Sequence, residues 1–487
     1  MLKSLHKTIK KENLCKSGST IMSINISGSD AKIKSTFVSI FIGPDHPLLK
    51  LANLLPWVIM INQVVEDLKA TTKKGHWWRG RPIMVRIHLA IYLLQKLYDL
   101  KDRQAEYFVR DNAAFQLFCG RNVVDTWHIP DHTKIEEFRS RLSPETQRFL
   151  ANTLAQKAAE LGFADPSIVD VDSTVQEANV AYPSDASLMT KLSAMATKVL
   201  AYLKGHTRGI IPESMTVDLK AIRSKAREYW FMPKNKSQDL KRAVFMELHQ
   251  LVKQQLRPIV DLCNGLDQSR ITRMPWQIRK SFDQLTSLGW RYLLDVAHFI
   301  REESIKQGKV LSFHAQDVAC IIKGKAHKMY EFGRVIQLGR ISGNFLFALE
   351  CQDLKMMDKT VFPQFIEEHA KIFGGKKIAS IATDKGYYSK KNIKTAQKSG
   401  IKEVGIQQPG NSKAKLSNSQ AALQEVLKDR RAGIEPLIGH VKQGGQLGRS
   451  RMKSDTATKA AAYGSVLGFN LRQMIRHQAG KMKKKAA

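Results

Sequence analysis

Two short apolar runs, each leading to an aspartate, constrain the fold of this chain more than any other feature. Residues 167–174 form a β-branched run that contains Asp172, and residues 377–383 form a second run that leads to Asp384. Gly386 allows a tight turn after the second run. A central strand that ends in a carboxylate delivers that side chain to one edge of a sheet. The surrounding segments alternate between helical and strand patterns, which fits an α/β protein with a mixed sheet.

A neighbouring acid, Asp170, lies two residues before Asp172 in the first run. Because strand side chains alternate with a period of two, both carboxylates point to the same face of the sheet. Both could therefore be ligands, and the role of Asp170 stays open.

A third carboxylate, Glu435, lies between fixed cations in residues 430–442. Pro436 is tolerated only in the first turn of a helix, so we expect Glu435 at or just before a helix start, where the helix dipole favours an anion. Lys442 then lies two turns further along the same face. A carboxylate flanked by Arg431 and Lys442 suits a site where a divalent metal meets a phosphate, although an ion-paired surface helix has the same pattern.

The formal net charge of +34, from 78 Lys and Arg against 44 Asp and Glu in 487 residues, indicates a polyanionic partner. Nucleic acid is the first candidate, and an anionic membrane surface is the alternative. No run of about 18 apolar residues occurs, so we expect no membrane-spanning segment. The five scattered cysteines lack a C-x2-C pair, which indicates reduced thiols in a cytoplasm. No G-x4-G-K-[ST] loop occurs, so we expect no nucleotide cofactor.

The N-terminal third divides into an extension and a helical region. Residues 1–45 are rich in Lys and Ser, and we interpret them as a basic, disordered extension, with a transit peptide as the alternative. Residues 46–160 have a helical pattern, in which the apolar stripes from Ile83 to Tyr98 predict a helix buried on most sides. Before it, residues 73–82 combine bases, which include Arg79 and Arg81, with two tryptophans, a mixture that suits phosphate contacts and base stacking, although the tryptophans could equally be core residues.

The region between the two acidic runs begins with another helical pattern. Residues 187–307 predict a helical insertion with clustered bases, whose basic face either holds DNA or is an ordinary solvated surface. The remaining pattern predicts a helix at about 362–372 and strands at 309–314, 332–338, 345–350 and 404–406.

Three motifs in a fixed order resemble those of IS5-type bacterial insertion-sequence transposases, which belong to the group that cuts and joins DNA with an Asp-Asp-Glu triad. They are the Asp-Ser-Thr that begins at Asp172, the Asp-Lys-Gly-Tyr that begins at Asp384, and the Arg-x3-Glu-x6-Lys spacing around Glu435. Residues 323–333, which end in Tyr-Glu-Phe-Gly, are similar to a further segment of that family. The chain departs from the wider group's pattern at Lys428, which stands where that pattern has a tyrosine.

The resemblance implies a domain layout. It implies an RNase H-like mixed sheet as a catalytic domain over residues 161–445, with the helical insertion at about 187–307 inside it. An all-helical DNA-binding domain over residues 46–160 would precede it, and a C-terminal helix and basic tail over residues 446–487 would follow.

The resemblance also implies a metal site. Asp172, Asp384 and Glu435 would be the catalytic acids and would hold two Mg²⁺ ions, with Mn²⁺ able to substitute. Asp172 would bridge the ions, and each of the other acids would complete one site. Two such ions activate the nucleophile and stabilise the leaving oxygen of an in-line displacement at phosphorus.

The expected DNA contacts come from basic side chains. Arg431 and Lys442 would clamp phosphate near the cut. Lys323 and Lys325 would lie near the DNA backbone. Glu331 would either face the metals or pair with one of these lysines. Arg79 and Arg81 are further candidates for phosphate contacts.

The implied function is DNA transposition. The protein would bind the terminal inverted repeats of an insertion sequence as double-stranded DNA, cleave the strands and join them to target DNA. A homodimer is expected because two element ends must be paired, and the expected location is the bacterial cytoplasm, at the nucleoid when bound to DNA. The alternatives are a catalytically inactive, transposase-derived DNA-binding regulator and an RNase H-like nuclease without strand transfer.

Overall fold

The computed structural model describes most of the chain. It gives only the backbone of residues 20–26, 36–41, 71, 323–325, 328–329 and 481–486. The described residues are 20–26, 36–71, 83–121, 127–181, 184–206, 211–233, 237–306, 308–325, 328–350, 356–409, 417–452 and 454–486. They form two compact units: the first extends to Gln176 and also takes in Val335–Ser450 and the chain from Thr456 onward, and the second comprises Glu177–Arg334 and Arg451–Asp455.

The helices and strands occur in the following order along the described chain. The strands are β1 (Thr20–Ile26), β2 (Thr36–Ile42), β3 (Ile168–Glu177), β4 (Ala319–Lys325), β5 (Lys328–Ile341), β6 (Phe345–Ala348), β7 (Ser380–Thr383) and β8 (Glu403–Ile406). The helices are α1 (Pro47–Leu54), α2 (Trp57–Thr71), α3 (Val85–Tyr98), α4 (Asp102–Asp111), α5 (Ala113–Phe118), α6 (His132–Arg141), α7 (Pro144–Glu160), α8 (Asp185–His206), α9 (Leu219–Trp230), α10 (Gln238–Asn264), α11 (Gln268–Thr272), α12 (Trp276–Gln284), α13 (Trp290–Glu302), α14 (Asp358–Ile372), α15 (Lys390–Lys398), α16 (Asn418–Ala432), α17 (Ile434–Gln443) and α18 (Asp455–Ala486).

A mixed sheet forms the centre of the first unit. Its strand order is β5-β3-β7-β8, and β6 pairs with β5. β7 is parallel to β3, β8 is parallel to β7, and β6 is antiparallel to β5. β6 and β7 are buried along their whole length, as their apolar sequences require. The mixed α/β sheet expected from the sequence is confirmed.

The outer edge of β6 is closed by two asparagine side chains. The side chain of Asn470 in α18 accepts a hydrogen bond from the Leu346 N–H at 3.0 Å and donates one to the Leu346 carbonyl at 2.7 Å. Asn152 in α7 does the same for Ala348, at 2.9 and 3.1 Å. Each buried amide therefore supplies the donor and acceptor that a neighbouring strand would otherwise provide.

The N-terminal helices pack against the same core as the sheet. α3 is buried on most sides, as its two apolar stripes predict. β1 and β2 pair antiparallel within residues 1–45, so the described part of this segment differs from the disordered extension expected there. The β-branched and aromatic residues of these segments favour strands. No single helix in the described ranges is long and apolar enough to cross a membrane; α1 and α2 together pass that test as a pair bent by 71°.

The second unit is mostly helical, and the segment Glu177–Arg334 forms most of it. The helices α8 to α13 bury a separate apolar core that includes Leu192, Leu256 and Tyr292. A π-helical turn, Leu285–Gly289, joins α12 to α13. β4 pairs antiparallel with the first half of β5 within this unit, with Cys320 opposite Phe332.

The prediction of a strand at residues 309–314 is wrong, because this segment forms neither a helix nor a strand. Val310 and Phe313 are buried in the core of the second unit without any strand pairing. Polar contacts hold the segment instead: Lys309 donates to the Asp185 carboxylate at 2.7 Å, and the Phe313 carbonyl accepts from Gln284 at 2.8 Å. The apolar residues of this segment predict a strand, but the two that are buried, Val310 and Phe313, are three residues apart and do not follow the two-residue period of a strand.

Candidate active site

The first two acids lie at neighbouring positions of two parallel strands. Asp170 lies opposite Ala382 and Val171 lies opposite Thr383. Continuing this register by one residue places Asp172 beside Asp384, which directly follows β7. Asp172 lies within β3 rather than at its end, because β3 continues to Glu177 after its pairing with β7 has stopped.

The third acid is held at an elbow between two helices. α16 ends at Ala432, and α17 begins at Ile434, so Glu435 lies in the first turn of α17, as Pro436 predicts. Gly433 lies at the elbow, and a Cβ there would collide with the guanidinium of Arg340. The absence of a side chain at Gly433 therefore lets Arg340 approach the elbow.

One guanidinium group contacts all three acids. Nη1 of Arg431 lies 3.4 Å from Oδ2 of Asp172 and 3.9 Å from Oδ1 of Asp384. Nη2 of the same arginine lies 2.5 Å from Oε1 of Glu435. The side chain of Arg431 is only 16% exposed, so it is enclosed by these contacts rather than free in solvent. Three carboxylates from β3, the end of β7 and α17 therefore converge on one cation.

The charge of Asp172 is disfavoured by its surroundings. Burial raises the pKa of Asp172 to about 6, against the opposing effects of the Arg431 guanidinium and the Ser173 N–H, and the negative charges of Asp384 and Glu435 raise it further. Additional positive charge near this carboxyl would lower its pKa and favour the charged form.

Asp170 is paired separately from the three acids. Its buried carboxylate accepts from Nε of Arg430 at 2.8 Å and lies 3.6 Å from Nη1 of Arg340. Arg430 also donates to the Ser380 hydroxyl at 2.6 Å and to the Val169 carbonyl at 3.3 Å. Burial raises the pKa of Asp170, and the two arginines counteract this. The hydrogen bonds of Arg430 therefore connect the C-terminal end of α16 to β3 and β7.

A buried tyrosine supports the turn that carries Asp384. Tyr387 is fully buried, and its hydroxyl donates to Oε1 of Gln337 in β5. Nε2 of Gln337 in turn donates to Asp358 at 2.7 Å. The tyrosine of the Asp-Lys-Gly-Tyr motif therefore has a packing role, which the motif alone does not indicate.

The donor set suits a hard divalent cation, because carboxylate oxygens are the ligands that Mg²⁺ prefers. Among the described residues, however, no group of three or more His, Cys, Asp and Glu side chains is already arranged to hold a metal ion. The three carboxylates instead contact the guanidinium of Arg431.

The contacts described above for the three acids do not involve the other residues predicted for the site. Lys442 lies half-buried near the C-terminal end of α17. Arg79 and Arg81 lie outside the described residues. The backbones of Lys323 and Lys325 belong to β4 in the second unit, and their side chains also lie outside the description; Glu331 is paired opposite Ile321 in the same unit.

Sequence reasoning missed Arg340 and the role of Arg430. Arg430 lies in the same segment as Glu435, and its position beside Arg431 is its one distinguishing feature in the sequence. Arg340 is 90 residues away from the Arg430 carbonyl to which it donates, and no local pattern marks it. Lys428, at the position where the wider group has a tyrosine, instead pairs with Glu425 on the surface of α16.

The raised pKa of Asp172 predicts a pH dependence of stability. The unfolded carboxyl releases its proton near pH 3.8, whereas the folded one keeps it up to about pH 6. The folded state therefore binds more protons in this interval, and the free energy of unfolding of the metal-free protein should fall as the pH rises through it. Urea denaturation in a chelator at several pH values should show a shallower fall for Asp172→Asn than for the wild type; equal slopes would contradict the prediction.

Comparison with known proteins identifies the class to which this site belongs. Residues 37–141 match the family described as Transposase domain (DUF772), and residues 324–471 match the family described as Transposase DDE domain. The second match contains Asp384 and Glu435, whereas Asp172 lies outside both. The two matches together span more than half of the chain, which therefore belongs to the insertion-sequence transposases.

One curated relative has no described activity. A protein of Rhizobium meliloti titled "Uncharacterized protein ORF8 in nfe locus" is 27% identical over 195 residues, which cover 39% of this chain and 87% of the relative. No solved structure matches the chain. The DDE domain indicates a transposition enzyme that acts on DNA and depends on a divalent metal.

Proposed function

We propose that this chain is an IS5-type transposase that binds the terminal inverted repeats of an insertion sequence, cleaves the DNA and joins the freed ends to target DNA. The observation that carries the proposal is the convergence of Asp172, Asp384 and Glu435 on Arg431, because these acids come from three separate elements. The parallel strands β3 and β7 that bring two of them together, and the antiparallel β6, fit an RNase H-like catalytic domain.

The proposed metal ligands are the same three acids. Asp172, Asp384 and Glu435 would hold two Mg²⁺ ions, with Mn²⁺ able to substitute. When bound, such ions supply a Lewis acid and lower the pKa of a water nucleophile. The carboxylates would orient the site, and a bound cation would lower the raised pKa of Asp172 and stabilise its charged form.

Basic side chains are proposed to bind the phosphates of the DNA. Arg431 lies in the last turn of α16 and Lys442 lies near the end of α17, so the two bases flank Glu435. We propose that both neutralise the negative charge that develops on the scissile phosphate. The net charge of +34 supports DNA as the partner. Lys323, Lys325, Arg79 and Arg81 are proposed to contact the backbone of double-stranded DNA.

The proposed assembly is a homodimer on DNA in the bacterial cytoplasm, since two element ends must be held together. Residues 46–160 would bind the terminal repeats, and the helices α8 to α13 would form an insertion in the catalytic domain. The presence of all three acids in one cluster disfavours a regulator that has lost catalysis, because such a protein is free to lose them.

A strand-transfer assay tests the proposed function. The substrate is a labelled duplex that carries the inverted repeats flanking the coding frame, incubated with supercoiled target DNA and Mg²⁺. The expected products are a nick or break at the repeat end and a joined species, both absent in EDTA. DNA binding without either product would favour the regulator, and cleavage without joining would favour a nuclease.

A further inference from the structure

The starting observation is the position of Arg431, which had been expected to face phosphate. Its guanidinium instead bonds the carboxylates of Asp172 and Glu435 and lies 3.9 Å from that of Asp384. Three carboxylates carry a charge of up to −3, and one guanidinium offsets only part of it. Burial strengthens this interaction, since the side chains of Arg431 and Asp172 are 16% and 15% exposed.

The oxygens that Arg431 contacts are those on which the proposed metal site depends. Mg²⁺ binds oxygen at about 2.0–2.1 Å and demands near-ideal geometry. A guanidinium that contacts oxygens of all three acids therefore obstructs that geometry. Once divalent charge is added, the guanidinium also loses its electrostatic reason to stay, because the carboxylates are already neutralised.

The local structure allows the side chain to leave without unfolding. Arg431 lies in the last turn of α16, and the neighbouring Arg430 fixes the backbone there through Asp170, Ser380 and the Val169 carbonyl. The long side chain of Arg431 can therefore rotate while Glu435 stays in place. A phosphate of bound DNA offers a guanidinium a bidentate anionic partner in exchange.

We propose that Arg431 is an exchangeable counter-ion: it holds the three acids together when no metal is bound, and it transfers to a DNA phosphate when metal binds. This proposal rests on the proposed function. Arg431 is then a positioning residue. Because it binds either the three acids or a DNA phosphate, it couples metal binding to DNA binding. By linkage, DNA must raise the affinity for metal by the same factor as metal raises the affinity for DNA.

The test is Mn²⁺ binding, measured by electron paramagnetic resonance of the free ion, with and without a short DNA duplex whose own Mn²⁺ binding is subtracted. Without DNA, Arg431→Gln should bind Mn²⁺ about tenfold or more tightly than the wild type, because the competing cation is gone. DNA should tighten Mn²⁺ binding by the wild type and have little effect on Arg431→Gln. Arg431→Lys should give intermediate values, since one ammonium cannot contact all three acids.

The matched control is Lys428→Gln, which removes one positive charge from the exposed surface of the same helix, one turn away, and should bind Mn²⁺ as the wild type does. Thermal unfolding checks that each variant is folded. Equal Mn²⁺ affinity in wild type and Arg431→Gln, with binding that Asp172→Asn abolishes, would overturn the counter-ion role and leave the proposed function standing. Mn²⁺ binding that does not depend on Asp172 would overturn both.

Discussion

Asp384→Asn is expected to leave DNA binding intact and to slow strand cleavage at least about a thousandfold. The exchange removes one charged ligand from the proposed metal site, and such a site contributes several kcal/mol to the transition state, with about 1.4 kcal/mol for each factor of ten. The Asp384 side chain is 53% exposed, so its replacement by an amide of the same shape should disturb the fold little. Single-turnover cleavage of a labelled repeat end in Mg²⁺ measures the rate.

A suitable control is Glu403→Gln, which removes an exposed carboxylate at the start of β8. Glu403 pairs with Ser380, at the opposite end of β7 from Asp384. This variant should cleave at the wild-type rate. Gel-shift titration with the same duplex shows whether both variants still bind. A cleavage rate for Asp384→Asn within tenfold of the wild type would remove Asp384 from the catalytic acids.

Arg430→Met is expected to lower the free energy of unfolding by about 3 kcal/mol at neutral pH. The substitution leaves the buried carboxylate of Asp170 with Arg340 at 3.6 Å as its remaining ion-pair partner, and breaking a buried ion pair on one side is costly. It also removes the bonds to the Ser380 hydroxyl and the Val169 carbonyl. Urea denaturation followed by circular dichroism measures the loss.

The pH dependence of that loss separates charge from packing. Burial already raises the pKa of Asp170, and removing Arg430 raises it further, so the destabilisation should shrink as the pH falls and Asp170 takes up a proton. The double variant Arg430→Met with Asp170→Asn should recover part of the stability. Lys428→Met, on the exposed face of the same helix, should unfold at the wild-type midpoint. An equal loss at acid and neutral pH would mean that lost packing explains the effect.

Local rules were enough to predict the elements that carry the acids. The β-branched run around Asp172 and the apolar run before Asp384 form the parallel strands β3 and β7, and Pro436 places Glu435 in the first turn of a helix. Each of these follows from the preference of a few consecutive residues for one backbone conformation.

The contacts within the site could not be predicted in the same way. Arg431 is separated from Asp172 by 259 residues, and Arg430 is separated from Asp170 by 260. The two arginines are adjacent in the sequence, but they point in different directions from α16 and therefore bind different acids. Which acid each one meets depends on how α16 packs against the sheet. The segment 309–314 shows the opposite failure, since its apolar residues pack into the core of the second unit without forming a strand.

The two asparagines along β6 have a consequence for how this protein can be handled. An uncovered strand edge invites addition of a strand from another molecule, which leads to aggregation or domain swapping. Asn470 lies on the last helix, so a version shortened before α18 would uncover the Leu346 end of that edge while the remaining sheet kept its pairing. Such a truncated protein would also lose the buried apolar face of α18, which includes Phe469 and Leu471, so we expect it to aggregate at both exposed surfaces.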